Sequence, residues 1–208
     1  MLSPILVLCC FILKVTGEGE VFYLQQRVAR GGRIFHLRKF ATMFKDSPNL
    51  GTGNITMKDD PRVLPFGKIL RLSKLNEIPQ LLNILVGDMS VVGPRPVTPD
   101  HFDLYSKDGK NAIGSVRPGL SGIGSIFFRS EDEFLSTSDD PVQFYKDIIA
   151  PYKEELEIWY IKNKSIKIYF MIIFATLLVV FFPKLNVFKL LFPNAPSAPG
   201  ALDANRRY

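Results

Sequence analysis

The sequence of 208 residues contains few of the residues that build disulfide frameworks or metal sites. Cys9 and Cys10 are adjacent within an apolar run, and that spacing suits neither a disulfide framework nor a set of metal ligands. His36 and His101 lie far apart and near no matching ligand pattern, which argues against a structural zinc site. No repeat or low-complexity tract is present. The chain is long enough to bury one sizeable core, so we expect one domain with appendages.

Long hydrophobic runs are also missing, since no apolar stretch reaches the roughly 20 residues that a helix needs to cross a bilayer. Residues 2–15 are apolar apart from Ser3 and Lys14. Ser3 can cap a helix that has Pro4 in its first turn. No basic leader precedes this run and no small-residue cleavage site follows it, which argues against a secretory signal. We therefore predict a membrane-entering helix over residues 1–17.

A second apolar stretch covers residues 168–182 and is stopped by Pro183. Lysines on both sides leave its orientation undetermined. We interpret residues 165–192 as membrane-associated, interfacial amphipathic helices, and a true membrane span is the alternative. The prolines and the glycine that follow Phe192 predict a disordered tail over residues 193–208.

The polar middle of the chain, residues 18–164, is the predicted catalytic domain. The net charge of the whole chain, +6, indicates an anionic partner: nucleic acid, lipid headgroups or phosphorylated substrates. Two short β-prone runs, residues 21–24 and 34–37, flank a Gly31-Gly32 turn and predict a hairpin. We expect a helix-rich mixed domain of the α+β class with few short strands.

A candidate site begins where a predicted basic helix, residues 68–75, runs into Asn76-Glu77. Arg71 lies on the basic side of this helix, and Pro79 interrupts the helix. The cations could hold a diphosphate while the Glu77 carboxylate binds a metal or attacks phosphorus. A surface ion pair would give the same pattern, so this segment alone does not decide between the two interpretations.

Two arginine-proline turns follow. Arg95 stands between Pro94 and Pro96, and proline restricts both its own backbone and that of the residue before it. A stiff backbone suits an arginine that binds phosphate through two parallel hydrogen bonds. Arg117-Pro118 is a second turn of this kind, followed by glycines. An ordinary tight turn is the alternative for both.

Seven short segments form a co-linear set of motifs along the chain. They are Gln26-Arg27, Lys39-Phe40 with Thr42-Met43, Asp60-Pro61-Arg62, Leu75-Asn76-Glu77-Ile78-Pro79-Gln80-Leu81, Gly87-Asp88-Met89-Ser90, Gly93-Pro94-Arg95-Pro96 and Arg117-Pro118-Gly119. Taken in this order, they resemble the bacterial sugar transferase family, the monotopic phosphoglycosyl transferases. The resemblance covers roughly residues 2–192, and several co-linear motifs are far more specific than any one of them.

The resemblance implies transfer of a sugar phosphate from a nucleotide diphosphate sugar, usually a UDP-sugar, to undecaprenyl phosphate. It also implies Mg²⁺ as a cofactor and a ping-pong course through a covalent phosphosugar enzyme. Such a reaction begins the synthesis of an exopolysaccharide or another glycoconjugate on the cytoplasmic face of the bacterial inner membrane. The implied partners are the two substrates, the lipid bilayer and downstream glycosyltransferases, whereas nucleic acid is not among them.

By position in the motifs, the resemblance implies that Glu77 has the metal-binding and catalytic role. It implies phosphate contacts for Arg71 and Arg95, and also for Lys39 and Arg117.

The sequence departs from the family pattern in two places. The family usually has an Asp-Glu pair with the aspartate as nucleophile, and here Asn76 takes the aspartate's place. A carboxamide is a poor nucleophile toward phosphorus, so either Glu77 attacks, or the lipid phosphate attacks directly, or the chain is a silent scaffold that binds polyprenyl phosphate. The family helix also turns back at a Ser-Pro break. The sequence begins just before the matching Ser3-Pro4, so we expect an earlier start or a truncated chain.

Overall fold

The computed structural model describes residues 3–51, 55–57, 59–136, 138–182, 185 and 187–203. Helices predominate and strands are few and short, which confirms the predicted α+β class. The chain divides into two compact units. The first unit comprises Met1–Gln25 and His36–Asn83, and the second comprises Gln26–Phe35 and Ile84–Tyr208. The domain boundaries predicted at residues 17, 164 and 192 stay a prediction.

The strands of the described residues form two small sheets. They are β1 (Phe22–Val28), β2 (Ile34–Phe40), β3 (Ser90–Val92) and β4 (Gly119–Ser121). The α-helices in the same residues are α1 (Ser3–Thr16), α2 (Pro65–Leu72), α3 (Leu81–Leu85), α4 (Pro99–Asp103), α5 (Lys107–Gly114), α6 (Ile123–Phe127), α7 (Glu131–Ser136), α8 (Pro141–Phe144), α9 (Ala150–Asn163), α10 (Ile166–Phe181), α11 (Val187–Leu191) and α12 (Gly200–Asp203).

The predicted hairpin is confirmed: β1 and β2 pair with each other in a two-stranded sheet. A connection this short permits only antiparallel pairing. Gly31 and Gly32 have φ angles of 74° and 75°, and such positive values are accessible to glycine at little cost. These two glycines therefore let the chain reverse between the strands.

The core of the first unit forms where α1 and α2 meet the end of β2. Cys9 and Leu13 of α1 pack with Phe40 and Leu70, and all four are buried. Cys9 acts as an apolar side chain there, as its sequence context suggests. Burying these side chains fixes α2, the helix that leads into the Asn76-Glu77 segment.

Helix α2 ends at Leu72, whereas the sequence pattern predicts a helix that continues to residue 75. Lys74 has a positive φ of 59°, which is incompatible with a right-handed helix. A 3₁₀ turn, Leu75–Gln80, follows and contains Pro79. A one-residue break in backbone geometry therefore separates the basic helix from the acidic turn, although the side-chain pattern runs through it.

The second unit joins its two short strands in parallel, with Ser90 paired to Gly119 and Val92 paired to Ser121. The connection between them contains α4 and α5. In the same unit, Phe127 of α6 packs edge-on against Tyr152 of α9, with ring centroids 4.9 Å apart. This aromatic core holds α6 and α9 in fixed positions.

Helix α10 corrects one detail of the predicted C-terminal helices, because it is apolar on every side rather than amphipathic. Its inner side buries Ile172 and Ala175, while Ile166, Phe170 and Phe181 on the outer side are 79%, 63% and 72% exposed. The two sides differ in packing and not in polarity. Within the described residues, no helix is both apolar enough and long enough to cross a membrane.

The C-terminal tail differs from the predicted disorder over the residues that the structure describes, which end at Asp203. The side chain of Leu202 is fully buried. The hydroxyl of Tyr152 donates a hydrogen bond to the carbonyl of Pro196 at 2.9 Å. One apolar anchor and one hydrogen bond hold this segment, and its Pro-rich composition does not reveal either. Residues 204–208 lie outside the described residues.

Candidate functional site

In the first unit, Asn76 and Glu77 lie on the 3₁₀ turn that follows Lys74. The main-chain N–H of Glu77 donates to the carbonyl of Lys74 at 3.2 Å. Asn76 is 7% exposed, and within the described part of the chain its buried Oδ1 has no hydrogen-bond partner. Glu77 is half-buried. Of the two side chains, the carboxylate is thus the one with access to solvent, while the amide oxygen points inward.

The first unit also holds two of the predicted phosphate-binding cations. Arg71 lies in the last turn of α2, and its Nη2 donates to Oγ1 of Thr56 at 3.4 Å. Lys39 is half-buried near the end of β2, next to the core residue Phe40. Helix α2 packs on the 3₁₀ turn, so Arg71 and Glu77 belong to neighbouring elements of one unit. Their roles stay predictions.

An ion pair between Arg62 and Asp60 organises the irregular loop that precedes α2. The Arg62 guanidinium donates to both oxygens of the Asp60 carboxylate, at 2.9 and 2.6 Å. It also donates to the main-chain carbonyls of Ser47, Leu50 and Ile55, at 2.7 to 2.8 Å. The hydrogen bond from Arg62 lowers the pKa of Asp60. This buried pair fixes the backbone in the described part of the loop, which includes a short 3₁₀ turn, Ser47–Asn49.

In the second unit, β3 and β4 bring the two arginine-proline turns together. The N–H of Gly119 donates to the carbonyl of Pro94 at 2.8 Å, and the N–H of Gly93 donates to the carbonyl of Ser121 at 2.9 Å. A Cβ added at Gly93 would lie 2.6 Å from the carbonyl oxygen of Arg117. Two segments that the sequence presents as separate turns are therefore one structure.

This close approach makes Gly119→Ala a sharp test of the paired turns. An added Cβ would overlap the main-chain nitrogen of Gly93, and it would lie 2.6 Å from the carbonyl oxygen of the same residue. Backbone atoms cannot move aside as a flexible side chain can, so we expect a loss of about 1–3 kcal/mol in the free energy of unfolding. Urea titration followed by circular dichroism measures this loss. Gly114→Ala is the control, because a Cβ there meets nothing within 4 Å, and equal losses in both variants would contradict the prediction.

Further hydrogen bonds immobilise the loop that carries Arg95. The carbonyl of Pro96 accepts from Nη1 of Arg27 at 2.9 Å, and the N–H of Val28 donates to the carbonyl of Val97 at 3.0 Å. The guanidinium of Arg95 donates to Oγ of Ser125 at 3.4 Å. Arg117, in contrast, is exposed. Arg95 is thus the better immobilised of the two predicted phosphate-binding arginines in this unit.

Glu157 is a site residue that sequence reasoning missed. It lies on α9, is 3% exposed, and accepts a hydrogen bond from the main-chain N–H of Arg95 at 3.2 Å. Burial raises the pKa of Glu157 to about 7, although two main-chain N–H groups and the charges of Lys153 and Arg95 act in the opposite direction. One feature of the sequence could have indicated Glu157. Lys153 and Glu157 are four residues apart on the side of α9 that also carries Leu156. Ionisable residues on a buried face call for an explanation.

Lys153 belongs to a buried polar cluster next to Glu157. Its Nζ donates to Oε2 of Glu131 at 2.6 Å and to the hydroxyl of Tyr145 at 3.4 Å. Burial acts to lower the pKa of Lys153, but Glu131 and Tyr145 together outweigh it and the pKa is raised. The ring of His101 stacks on Tyr145 with centroids 4.4 Å apart, and burial lowers the pKa of His101 to about 4. Lys153 is therefore charged and His101 neutral at physiological pH.

The raised pKa of Glu157 predicts a pH dependence of stability. In the folded protein the group keeps its proton up to about pH 7, whereas its ordinary pKa is 4.5. Its stabilising effect is complete below the ordinary pKa and is lost as the pH rises through the folded value. The wild type should lose on the order of 3 kcal/mol between pH 5 and 8 from this group, whereas Glu157→Gln should not show that loss. Urea titrations at each pH measure the difference, and parallel curves for the two proteins would contradict it.

The resemblance implies a metal ion at Glu77, which would need oxygen donors around it. Among the described residues, no group of three or more His, Cys, Asp or Glu side chains could hold a metal ion. Mg²⁺ in phosphoryl-transfer sites is commonly bound through one or two carboxylates together with substrate phosphates and water. The half-buried Glu77 carboxylate fits that open mode of binding, and the residues that the structure describes do not offer an all-protein cage.

A helix-rich α+β chain with a carboxylate on a tight turn and an arginine on a hydrogen-bonded loop has the groups needed to bind phosphate. Residues 1–183 match the model of the bacterial sugar transferase family, and the chain belongs to that family. The resemblance inferred from the seven motifs is thereby confirmed.

Curated relatives agree with this assignment. The exopolysaccharide production protein ExoY of Sinorhizobium fredii is 37% identical over 149 residues, which is 65% of this chain and 66% of the relative. The UDP-glucose:undecaprenyl-phosphate glucose-1-phosphate transferase of Xanthomonas campestris is 33% identical over 170 residues, 80% of this chain and 35% of the relative. The undecaprenyl-phosphate galactose phosphotransferase of Salmonella typhimurium is 30% identical over 193 residues, which is 86% of this chain and 37% of the relative. The chain thus spans just under two thirds of the first relative and little more than one third of the other two.

Proposed function

We propose that this protein transfers a sugar phosphate from a nucleotide diphosphate sugar, most simply a UDP-sugar, to undecaprenyl phosphate. The family match over residues 1–183, together with relatives named for this transfer, carries the proposal. The product would begin the synthesis of a surface polysaccharide, as the name of the ExoY relative suggests. Relatives named as transferases favour a working enzyme over the silent scaffold.

The immobilised Arg95 supports phosphate binding. A guanidinium can make two parallel hydrogen bonds to phosphate oxygens, and an anchored backbone lowers the entropy lost when it does so. The hydrogen bonds to Pro94, Arg95 and Pro96 supply that anchoring. We assign to Arg95 the binding of a donor phosphate, and to Arg71, Lys39 and Arg117 additional contacts with phosphate.

The reacting carboxylate in our proposal is Glu77. Its oxygen attacks the phosphorus that bears the sugar, the bond from that phosphorus to the bridging oxygen breaks, and the nucleoside monophosphate leaves with the bonding electrons. An oxygen of the lipid phosphate then attacks the same phosphorus and releases the carboxylate. Mg²⁺ bound through Glu77 would neutralise charge on the diphosphate. Direct attack by the lipid phosphate is the competing course, and it leaves Glu77 only the metal-binding role.

We also propose that the protein works at the cytoplasmic face of the inner membrane. In the first unit, the outer side of α1 exposes Val7, Phe11 and Val15 at 67%, 65% and 61%. In the second, α10 exposes an aromatic stripe that includes Phe170 and Phe174. Apolar area of this kind favours helices buried in the interfacial region of a bilayer.

Substitutions on the stripe test the membrane proposal. Phe170→Ser with Phe174→Ser removes apolar area from the exposed side of α10 and should lower binding to phospholipid vesicles at least tenfold. Co-sedimentation with phosphatidylglycerol vesicles measures the binding. Lys146→Ser with Asp147→Ser, on an exposed and polar stretch, is the matched control. Unchanged sedimentation of the α10 variant would contradict the proposed membrane contact.

The transfer itself is tested by the release of nucleoside monophosphate. The purified full-length chain, supplied with undecaprenyl phosphate in detergent and Mg²⁺, is incubated with a panel of nucleotide diphosphate sugars. We expect release from at least one donor, and we expect it to depend on both the lipid phosphate and the metal. No release from any donor by folded protein would overturn the proposed function and favour the scaffold.

A further inference from the structure

The carboxylate of Glu157 lies directly behind the Arg95 loop. Oε1 accepts from the N–H of Arg95 at 3.2 Å, and the main-chain N–H of Gly124 also favours the ionised form of this carboxyl. A Cβ on Gly124 would lie only 2.5 Å from this oxygen, so only glycine leaves room for the carboxylate to reach its position. A movement of Glu157 is therefore transmitted to the backbone of Arg95.

The second oxygen of Glu157 has a different environment. Oε2 is buried and has no hydrogen-bond partner among the described residues. The groups that face the carboxyl are Arg95 of the loop, Lys153 and Tyr160 of α9, and Tyr105 before α5. Burial raises the pKa of each of the two tyrosines, so both are neutral, and Lys153 is paired with Glu131. Arg95 is the cation in this set whose partner would change when a substrate binds.

An anion bound to the Arg95 guanidinium would alter the balance at Glu157. In the absence of an anion, the charge of Arg95 favours the ionised form of the carboxyl. A bound phosphate offsets that charge and adds a like charge, so the carboxyl takes up a proton from solvent more readily. Linkage makes the effect reciprocal, because a proton on Glu157 must then increase anion affinity by the same factor.

We propose that Glu157 is a positioning residue for Arg95 and that it couples anion binding at Arg95 to proton uptake. The proposal rests on the proposed function, since it takes Arg95 to bind a donor phosphate. Protonation removes the buried negative charge that competes for the guanidinium, while Oε1 continues to accept from the main chain. The state of one carboxyl behind the loop thereby sets the affinity of the site for phosphate.

The experiment measures donor affinity against pH. UDP-glucose and UDP-N-acetylgalactosamine are suitable probes, because a diphosphate esterified at both ends does not titrate between pH 5.5 and 8.5. Isothermal titration calorimetry of the full-length chain in detergent gives Kd for the wild type, Glu157→Gln and Glu155→Gln. Glu155 is exposed on the same helix, so the third protein is a charge-matched control.

We expect the wild-type Kd to rise on the order of tenfold across this pH range, since site coupling of this size is typical. The Glu157→Gln Kd should stay near the wild-type value at pH 5.5 throughout, and the Glu155→Gln protein should follow the wild type. A Kd that rises in parallel in wild type and Glu157→Gln would overturn the coupling. A uniform loss of affinity at all pH values would also overturn it and would show a purely structural role.

A second measurement needs only the wild type and holds even if Glu157→Gln fails to fold. Titrations at pH 7 in two buffers with different ionisation enthalpies give the number of protons taken up per donor bound. We expect uptake of a fraction of a proton, and zero uptake would overturn the coupling. If neither probe binds any of the proteins at any pH, the proposed function fails for these donors and the inference falls with it. Binding without proton linkage contradicts the inference alone.

Discussion

Glu77→Gln is expected to lower transfer by roughly 10²–10⁴-fold, whereas Asn76→Ala should retain most of it. The glutamine cannot act as an anionic nucleophile or as a strong ligand for Mg²⁺, and the side chain keeps its size. Asn76 is neutral, and its buried Oδ1 lacks a hydrogen-bond partner within the described residues. Removing a buried acceptor that makes no hydrogen bond costs no hydrogen bond, so the Asn76→Ala protein should also fold.

Release of nucleoside monophosphate by each variant measures this difference. Circular dichroism of each protein supplies the folding control. Loss of activity in Asn76→Ala equal to that in Glu77→Gln would contradict a reaction centred on Glu77.

Single-turnover kinetics separate the two courses open to Glu77. Attack by Glu77 predicts a burst of nucleoside monophosphate from donor alone, before any lipid phosphate is added. Direct attack by the lipid phosphate predicts no burst. The variant Asn76→Asp adds a further test in the same assay. Its carboxylate would occupy the buried position where Oδ1 of Asn76 has no hydrogen-bond partner among the described residues. Burial raises the pKa of a carboxyl group in such a position. Gain of a burst in this variant would show that the position can still support the family's usual nucleophile.

Arg62→Met is expected to reduce the free energy of unfolding by about 3–5 kcal/mol, because it removes one partner of a buried ion pair. The substitution leaves the Asp60 carboxylate buried without its cation. It also removes the hydrogen bonds that the guanidinium donates to the carbonyls of Ser47, Leu50 and Ile55. Lysine cannot replace the planar fork that reaches all of these acceptors, so Arg62→Lys should recover only part of the loss.

Arg33→Met is the matched control. Arg33 pairs with Asp88 at 2.8 Å, close to the 2.6 Å of the Arg62 pair, but the Arg33 side chain is 60% exposed. Exposed pairs contribute about 0–1 kcal/mol, so the control should unfold almost as the wild type does. Urea titration measures both variants. Similar losses in the two would show that the loop does not depend on the buried pair.

The local sequence pattern predicts the structure correctly where a short segment determines its own backbone conformation. Two β-prone runs around Gly31-Gly32 predict the hairpin, because the turn needs positive φ angles that glycine provides. The sequence pattern predicts a helix to residue 75, but α2 ends at Leu72, since Lys74 adopts a positive φ that no side-chain pattern reveals. Composition predicts disorder after Phe192, but the buried side chain of Leu202 and the hydrogen bond from Tyr152 to Pro196 hold the tail as far as Asp203. These errors arise because backbone geometry and distant contacts override propensity.

The sequence by itself determined the family and its candidate residues, because the motifs are contiguous and each carries its chemistry in adjacent positions. Asn76 in place of an aspartate can likewise be recognised without any structure. Only the tertiary structure decided that the Arg95 and Arg117 turns are joined through β3 and β4, and that Glu157 lies behind Arg95. Parallel strand pairing and the burial of a carboxyl depend on contacts between residues 29 and 62 positions apart, and a linear pattern does not encode such contacts.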